Sequence, residues 1–398
     1  MTRAFLIVMD SVGCGGAPDA IAFGDEGANT LSHIAIACAR GAADTGRTGP
    51  LHMPNLETLG LGAAVKLASG DPMPGFSAKP TGGWGAATEI SKGKDTPSGH
   101  WELAGVPVTW DWTYFPDEIP AFPPALVEDI CYMAGVPNIL GNCHASGVPI
   151  IEQLGAEHLR TGWPIVYTSA DSVVQIAAHE ESFGLGRLIA LCQALAPKIH
   201  AAGVGRVIAR PFTGQEGAFT RTANRRDFAV APPSPTLIDW VQKAGGVTHA
   251  IGKIGDIFSG RGIDHLHKGQ SDSDLFEHLM RLGREAEPGS FTFANFVEFD
   301  SLYGHRRDIA GYARALEWFD ARVGEFLPLL QPDDIAIFTA DHGNDPTWQG
   351  TDHTRERVPV LVAGAGSGTL GLCGFSDIAA SIAAHLGVRA PLTGKSFL

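Results

Sequence analysis

Positive charge is scarce in this sequence. Its 398 residues include 29 Lys or Arg against 43 Asp or Glu, a formal net charge of −14 with histidine neutral. That balance repels phosphate backbones, so the electrostatic footprint of a nucleic-acid-binding protein is missing. Cysteine is also sparse. Cys14, Cys38, Cys131, Cys143, Cys192 and Cys373 contain no C-x-x-C pair and are read as buried thiols in a reducing compartment. No stretch approaches the roughly 20 apolar residues of a membrane span. The amino-terminal apolar run, Ala4 to Met9, is too short for a signal peptide. A soluble, cytoplasmic protein with no membrane or nucleic-acid partner is expected.

What is present points to an enzyme. Hydrophobic residues make up 44%, enough for a sizeable core, and 50 Gly with 26 Pro imply many loops. The length suits about two or three domains. Short β-branched runs at Ala4 to Met9, Phe293 to Phe299 and Ile335 to Ala340 read as buried parallel strands of an α/β sheet. Each is followed at once by an aspartate: Asp10, Asp300 and Asp341. Val358 to Ala363 is placed to complete the sheet, and Gly311 to Leu330 and Asp377 to Leu386 have helical spacing. Proline clusters before and after the middle of the chain predict an insertion: core 1–113, inserted domain 114–232, core 233–398.

Loops at the carboxyl ends of such strands converge on one crevice. There the chain offers D-S-L-Y-G-H (Asp300 to His305), A-D-H-G-N-D (Ala340 to Asp345) and D-H-T (Asp352 to Thr354). Asp10, Asp300, His305, Asp341, His342 and His353 supply the carboxylates and imidazoles that borderline divalent ions such as Mn²⁺ or Zn²⁺ prefer, enough for two ions. G-K-D-T-P-S-G-H-W, Gly93 to Trp101, carries hydroxyls at Thr96 and Ser98; read alone, it is an ordinary Ser/Thr turn. Gly13 to Gly16 lacks the lysine and spacing of a nucleotide-binding loop. Cys143-His144 has no second pair, and Trp110, Trp112, Tyr114 and Phe115 read as packing. Arg221, Arg225 and Arg226 read as a solvated face, with an anion site as the alternative.

Taken together, V-M-D-S-V-G-C-G, G-K-D-T-P-S-G-H-W-E, Y-T-S-A-D-S-V-V-Q-I-A-A-H-E, G-R-V-I-A-R-P-F, F-D-S-L-Y-G-H-R-R-D and T-A-D-H-G-N-D-P resemble the prokaryotic phosphopentomutase family nearly end to end. The resemblance implies an alkaline-phosphatase-like core, with a mainly parallel sheet flanked by helices, plus an inserted α/β cap. It implies interconversion of ribose 1-phosphate and ribose 5-phosphate, and of the 2-deoxyribose forms, through a phosphothreonine and a bisphosphate. Two manganese ions and a priming sugar bisphosphate are implied as cofactors, and a monomer is expected. Thr96 resembles the phosphorylated residue. Asp10, Asp341 and His342 match the ligands of one ion, and Asp300, His305 and His353 those of the other. Ser169, Asp171, Val173, Arg206, Ile208 and Lys253 fall on segments that meet the sugar phosphate. One departure is Thr96-Pro97-Ser98, where the family commonly reads T-T-T or T-M-T; proline fixes φ and removes a donor. A phosphoglycerate mutase or phosphatase would share the metal set, and a non-catalytic metal-binding protein would need no nucleophile; the S-A-D-S-V segment and single short cap favour pentose.

Overall fold

The computed structural model describes the chain from Thr2 to Leu398 apart from Ala170, Asp171 and Leu392. It forms two compact units, one of Met1–Trp110 with Pro232–Leu398, the other of Asp111–Ala231.

The larger unit is built on an eight-stranded sheet. Its strands lie in the order His265–His267, Thr248–Ile251, Phe291–Phe296, Ala4–Met9, Ile335–Thr339, Val358–Ala363, Gly83–Thr88 and Gly368–Gly374. Ala4–Met9 is buried throughout and pairs in parallel with Phe291–Phe296 on one side and Ile335–Thr339 on the other. A strand covered on both faces needs a continuous apolar run, which this is. Val358–Ala363 is antiparallel to both its neighbours, so the sheet is mainly parallel.

The expected strand through Phe299 stops at Phe296. The Asp272 carboxylate accepts the amides of Val297 and Glu298, each at 3.1 Å, and takes them out of the ladder. Asp300 therefore lies in a short helical turn, Phe299–Gly304, rather than at the strand end. The following helix runs Ile309–Phe326, opened by the Asp308 side chain accepting the Gly311 amide at 2.8 Å. It ends before Leu330 because Leu327–Leu329, with Pro328, tightens into a 3₁₀ turn. The last helix is Phe375–His385.

At the amino ends of the central strands sits a buried ion pair. Arg3 donates from Nε to Asp334 Oδ1 at 3.0 Å and from Nη2 to Oδ2 at 2.5 Å. Its remaining donors reach the carbonyls of Leu282, Gly283 and Ala286, at the end of the Asp272–Glu285 helix. Cations suit a helix carboxyl end, where carbonyls lack intrahelical partners.

The smaller unit is also α/β. Its strands run in the order Leu140–His144, Ile165–Thr168, Val173–His179, Arg206–Thr213 and Thr220–Arg221, with Arg226–Ala229 paired to Arg206–Thr213. Val174, Ile176, Val207 and Ala209 face one apolar cluster with the helices Pro124–Ala134 and Leu185–Ala201. Tyr167, Ala177 and Phe212 pack on the other face against Ile150 and Ile151 of the helix Gly147–Thr161. All six cysteines are free thiols; Cys14, Cys38 and Cys192 are buried and the other three half-buried. Among the described residues no helix is long and apolar enough to cross a membrane.

Candidate active site

Parallel pairing brings Asp10, directly after Met9, beside Asp341, two residues after Thr339. The turn holding Asp300 follows the neighbouring strand, and the loops after Asp341 carry His342 and His353. Ligand atoms of Asp300, His305 and His353 lie within 4.8 Å of one another, as do those of Asp10, Asp300 and His342. Asp300 thus faces both groups. Asp341 joins the second through His342, whose Nε2 is 3.3 Å from Asp341 Oδ2 and 3.6 Å from Asp10 Oδ1. The backbone is shaped for this: Ser11 holds φ 68, a left-handed conformation uncommon outside glycine, and its amide donates to Asp341 Oδ1 at 3.1 Å.

Each of the three histidines has Nδ1 against a backbone carbonyl: His305 on Thr351 at 2.6 Å, His353 on Lys94 at 2.9 Å, His342 on Gly343 at 3.1 Å. A carbonyl only accepts, so Nδ1 carries a proton and Nε2 is the atom turned toward the carboxylates, where a cation would displace any second proton. Asp10 Oδ1, Asp341 Oδ2 and His353 Nε2 are buried with no hydrogen-bond partner among the described residues. Three buried carboxylates, three imidazole Nε2 atoms and orphaned buried atoms form a donor set that fits divalent cations. Protonation follows the same crowding. Burial, then Asp341 and Asp300, push Asp10 well above the usual carboxylate range. Burial also acts to raise Asp300, but His353 and His305 outweigh it and hold it well below. Burial takes His342 down to about 4, against the pull of Asp341.

Thr96 opens the helix Thr96–Leu103, with Asp95 as its N-cap. Its Oγ1 lies 3.3 Å from His342 Nε2. The Asp95 carboxylate accepts both the amide and the hydroxyl of Ser98, each at 3.0 Å, so the second hydroxyl of the segment is engaged locally. Pro97 falls in the first helical turn, where an amide has no intrahelical acceptor, and its missing donor costs nothing there. Gly99 is needed for contact: a Cβ there would come within 2.1 Å of the Asp341 carbonyl oxygen.

A protein-family model described as the Metalloenzyme superfamily matches residues 2–390. The protein named phosphopentomutase in Rhizobium meliloti is 56% identical, and that of Agrobacterium fabrum 57% identical, each alignment covering 100% of both chains. The chain belongs to the phosphopentomutase family. It is therefore an isomerase of the phosphotransferase type, within a superfamily of metalloenzymes. Among solved structures, a phosphoglycerate mutase of Leishmania mexicana aligns with 99% of this chain and 97% of its own at 12% identity and a TM-score of 0.45, too slight a likeness for any inference.

The other residues that the phosphopentomutase resemblance singled out fall on both units. Lys253 precedes the short helix Ile254–Ile257 in the larger unit, and its charge acts on Asp10. In the smaller unit Ser169 follows the Ile165–Thr168 strand, and Val173 and Arg206 open two adjacent strands in register. Ile208 is buried two residues on. Asp171 lies outside the described residues. Sequence reasoning missed the residues that hold the ligands in place. Asn295 donates to Asp10 Oδ2 at 2.8 Å, Asn344 donates to Asp300 Oδ1 at 2.7 Å, and buried His100, whose Nδ1 donates to the Thr96 carbonyl at 2.9 Å, packs with that nitrogen 3.1 Å from Asp341 Oδ2. The signals were a lone amide in the F-A-N-F run and a histidine one helical turn after Thr96.

Proposed function

We propose that the protein interconverts ribose 1-phosphate and ribose 5-phosphate, and the 2-deoxyribose forms, by passing a phosphoryl group through Thr96. The observation that carries this reading is the Thr96 hydroxyl set against His342 within the cluster, while the Ser98 hydroxyl is bound to Asp95. Two manganese ions are the proposed occupants, held by Asp10, Asp341 and His342 and by Asp300, His305 and His353; bound there, they would lower the pKa of the threonine hydroxyl and offset charge on phosphoryl oxygens.

Phospho-Thr96, primed by a sugar bisphosphate, presents its phosphoryl group to the free hydroxyl of a pentose monophosphate. The Thr96 Oγ–P bond breaks as the sugar O–P bond forms, and the hydroxyl proton is released. The bisphosphate turns over, returns its other phosphoryl group to Thr96 and leaves as the isomeric monophosphate. The amino end of the Thr96–Leu103 helix favours the anion at this position. Ser169, Asp171, Val173, Arg206, Ile208 and Lys253 are the proposed contacts to the sugar phosphate. The same reading has the protein act as a cytoplasmic monomer.

A coupled assay on ribose 1-phosphate with Mn²⁺ tests this. Thr96→Ala should lose about 10³-fold or more in turnover, because no other group replaces a covalent nucleophile. Thr96→Ser should keep measurable activity. Full turnover in Thr96→Ala would refute the phosphothreonine.

A further inference from the structure

The F-D-S-L-Y-G-H-R-R-D segment carries two arginines that the reaction does not use. Arg306 is exposed, whereas Arg307 is half-buried and engages all three guanidinium nitrogens. Nε donates to the Gly350 carbonyl at 2.7 Å. Nη1 donates to the Gly304 carbonyl at 3.0 Å and to Asn344 Oδ1. Nη2 donates to the carbonyls of Asp352 at 3.0 Å and Gln349 at 3.4 Å. A guanidinium has five N–H donors, and every acceptor here is an amide oxygen.

These acceptors lie beside three candidate ligands. Gly304 precedes His305, Asp352 precedes His353, and Asn344 donates from Nδ2 to Asp300 Oδ1 at 2.7 Å. His305 Nδ1 takes the one carbonyl of the 349–352 stretch that Arg307 leaves, that of Thr351. Four successive carbonyls leading into His353 are thus held by two residues of one turn, and no helix or strand holds that stretch.

The buried Asn344 amide shows what the guanidinium adds. Arginine only donates, so it meets Oδ1 and leaves Nδ2 to face the Asp300 carboxylate. Without Arg307 the amide would be free to turn over and set oxygen against oxygen. Gly304 leaves the room this needs: a Cβ there would stand 2.7 Å from Asn344 Nδ2. Arg307 itself holds φ 55, the left-handed region that residues with a Cβ seldom adopt.

We propose that Arg307 is a positioning residue for the cation of Asp300, His305 and His353, setting all three ligands from one guanidinium that cannot itself be a ligand. This role rests on the two-cation reading above. It runs against simple electrostatics, because the guanidinium charge acts on Asp300 and by itself repels a cation. Removing the arginine therefore tightens the ion if charge decides, and weakens it if the hydrogen bonds decide.

Calorimetric titration of the metal-stripped full chain with Mn²⁺ tests it. Wild type should bind two ions, and Asp341→Ala, which removes a ligand from the other group, isolates the ion in question. In that background Arg307→Gln should weaken the remaining ion about ten-fold or more, the usual effect of losing a group that orients a ligand. In a His305→Ala background, which leaves the other ion, the same change should cost much less. Arg307→Lys keeps the charge without the planar fork and should recover only part of the affinity. Should Arg307→Gln fail to fold, judged by circular dichroism, the lysine variant carries the test with the same expected weakening. Turnover of the Arg307→Gln single variant should return to within a few-fold of wild type when Mn²⁺ is raised, because every ligand is still present. Unchanged or tighter binding in Arg307→Gln, wild-type affinity in Arg307→Lys, or equal weakening in both backgrounds would overturn the proposal and leave the two-cation reading standing. No manganese in wild type would refute both.

Discussion

Arg3 and Asp334 precede the Ala4–Met9 and Ile335–Thr339 strands, and Asp10 and Asp341 come after them, so buried charge lies at both ends of one parallel pair. At the amino ends the carboxylate meets a guanidinium and every arginine nitrogen has an acceptor. At the carboxyl ends three aspartates crowd together, and one oxygen each of Asp10 and Asp341 has no hydrogen-bond partner among the described residues. Both arrangements are costly to bury. The first is complete within the chain and serves the fold; in the proposed function the second is completed by cations and serves chemistry. On that proposal, local pairing, rather than burial or charge, separates a structural aspartate from a catalytic one.

The sharpest way to break that distinction is to empty each end in turn. Asp341→Ala should lower turnover by about 10³-fold or more while the melting temperature stays near wild type, because it removes a ligand and relieves crowding. Arg3→Ala should do the reverse, costing about 3–5 kcal/mol of stability by stranding Asp334, with turnover of the folded fraction preserved. Urea unfolding and steady-state kinetics on both variants check the pair. Matching effects at the two ends would erase the difference.

Glu356 is an intermediate case, a buried carboxylate with donors but no cation. It accepts the amides of Gly15 and Thr30, each at 2.9 Å, and the hydroxyls of Thr30 and Thr354. Burial, then Asp345, raises its pKa from 4.5 to about 7. The folded state thus holds this proton more tightly than the unfolded state, and the group's contribution to stability falls as pH rises from about 4.5 to about 7. Wild type should lose up to about 3 kcal/mol relative to Glu356→Gln across that window. Parallel pH profiles of unfolding would contradict this. The smallest effect belongs to Ser98→Ala, which removes one hydrogen bond to Asp95. It should cost about 1 kcal/mol and leave turnover within a few-fold. A dead Ser98→Ala enzyme would move the nucleophile to that residue.

The central strands were legible because a strand buried on both faces must be a short, unbroken apolar run, and Asp10 and Asp341 come with that pattern. Asp300 was placed at a strand end that does not exist, since Asp272, remote in sequence, decides where the ladder stops. The antiparallel sense of Val358–Ala363 leaves no local mark, and the edge strands Gly368–Gly374 and His265–His267 lack an apolar run. Carboxylates and imidazoles were found as candidates by residue type. His100, Asn295 and Asn344 were not, because their role appears only once the strands bring them to Asp341, Asp10 and Asp300.

The claim that the carboxyl ends of these strands form a cation site is tested most directly by counting bound manganese per chain after dialysis against Mn²⁺. Wild type and Arg3→Ala should each retain two ions, and Asp341→Ala should retain fewer, with its far-ultraviolet circular dichroism unchanged. Equal manganese in wild type and Asp341→Ala, or none in wild type, would contradict the account.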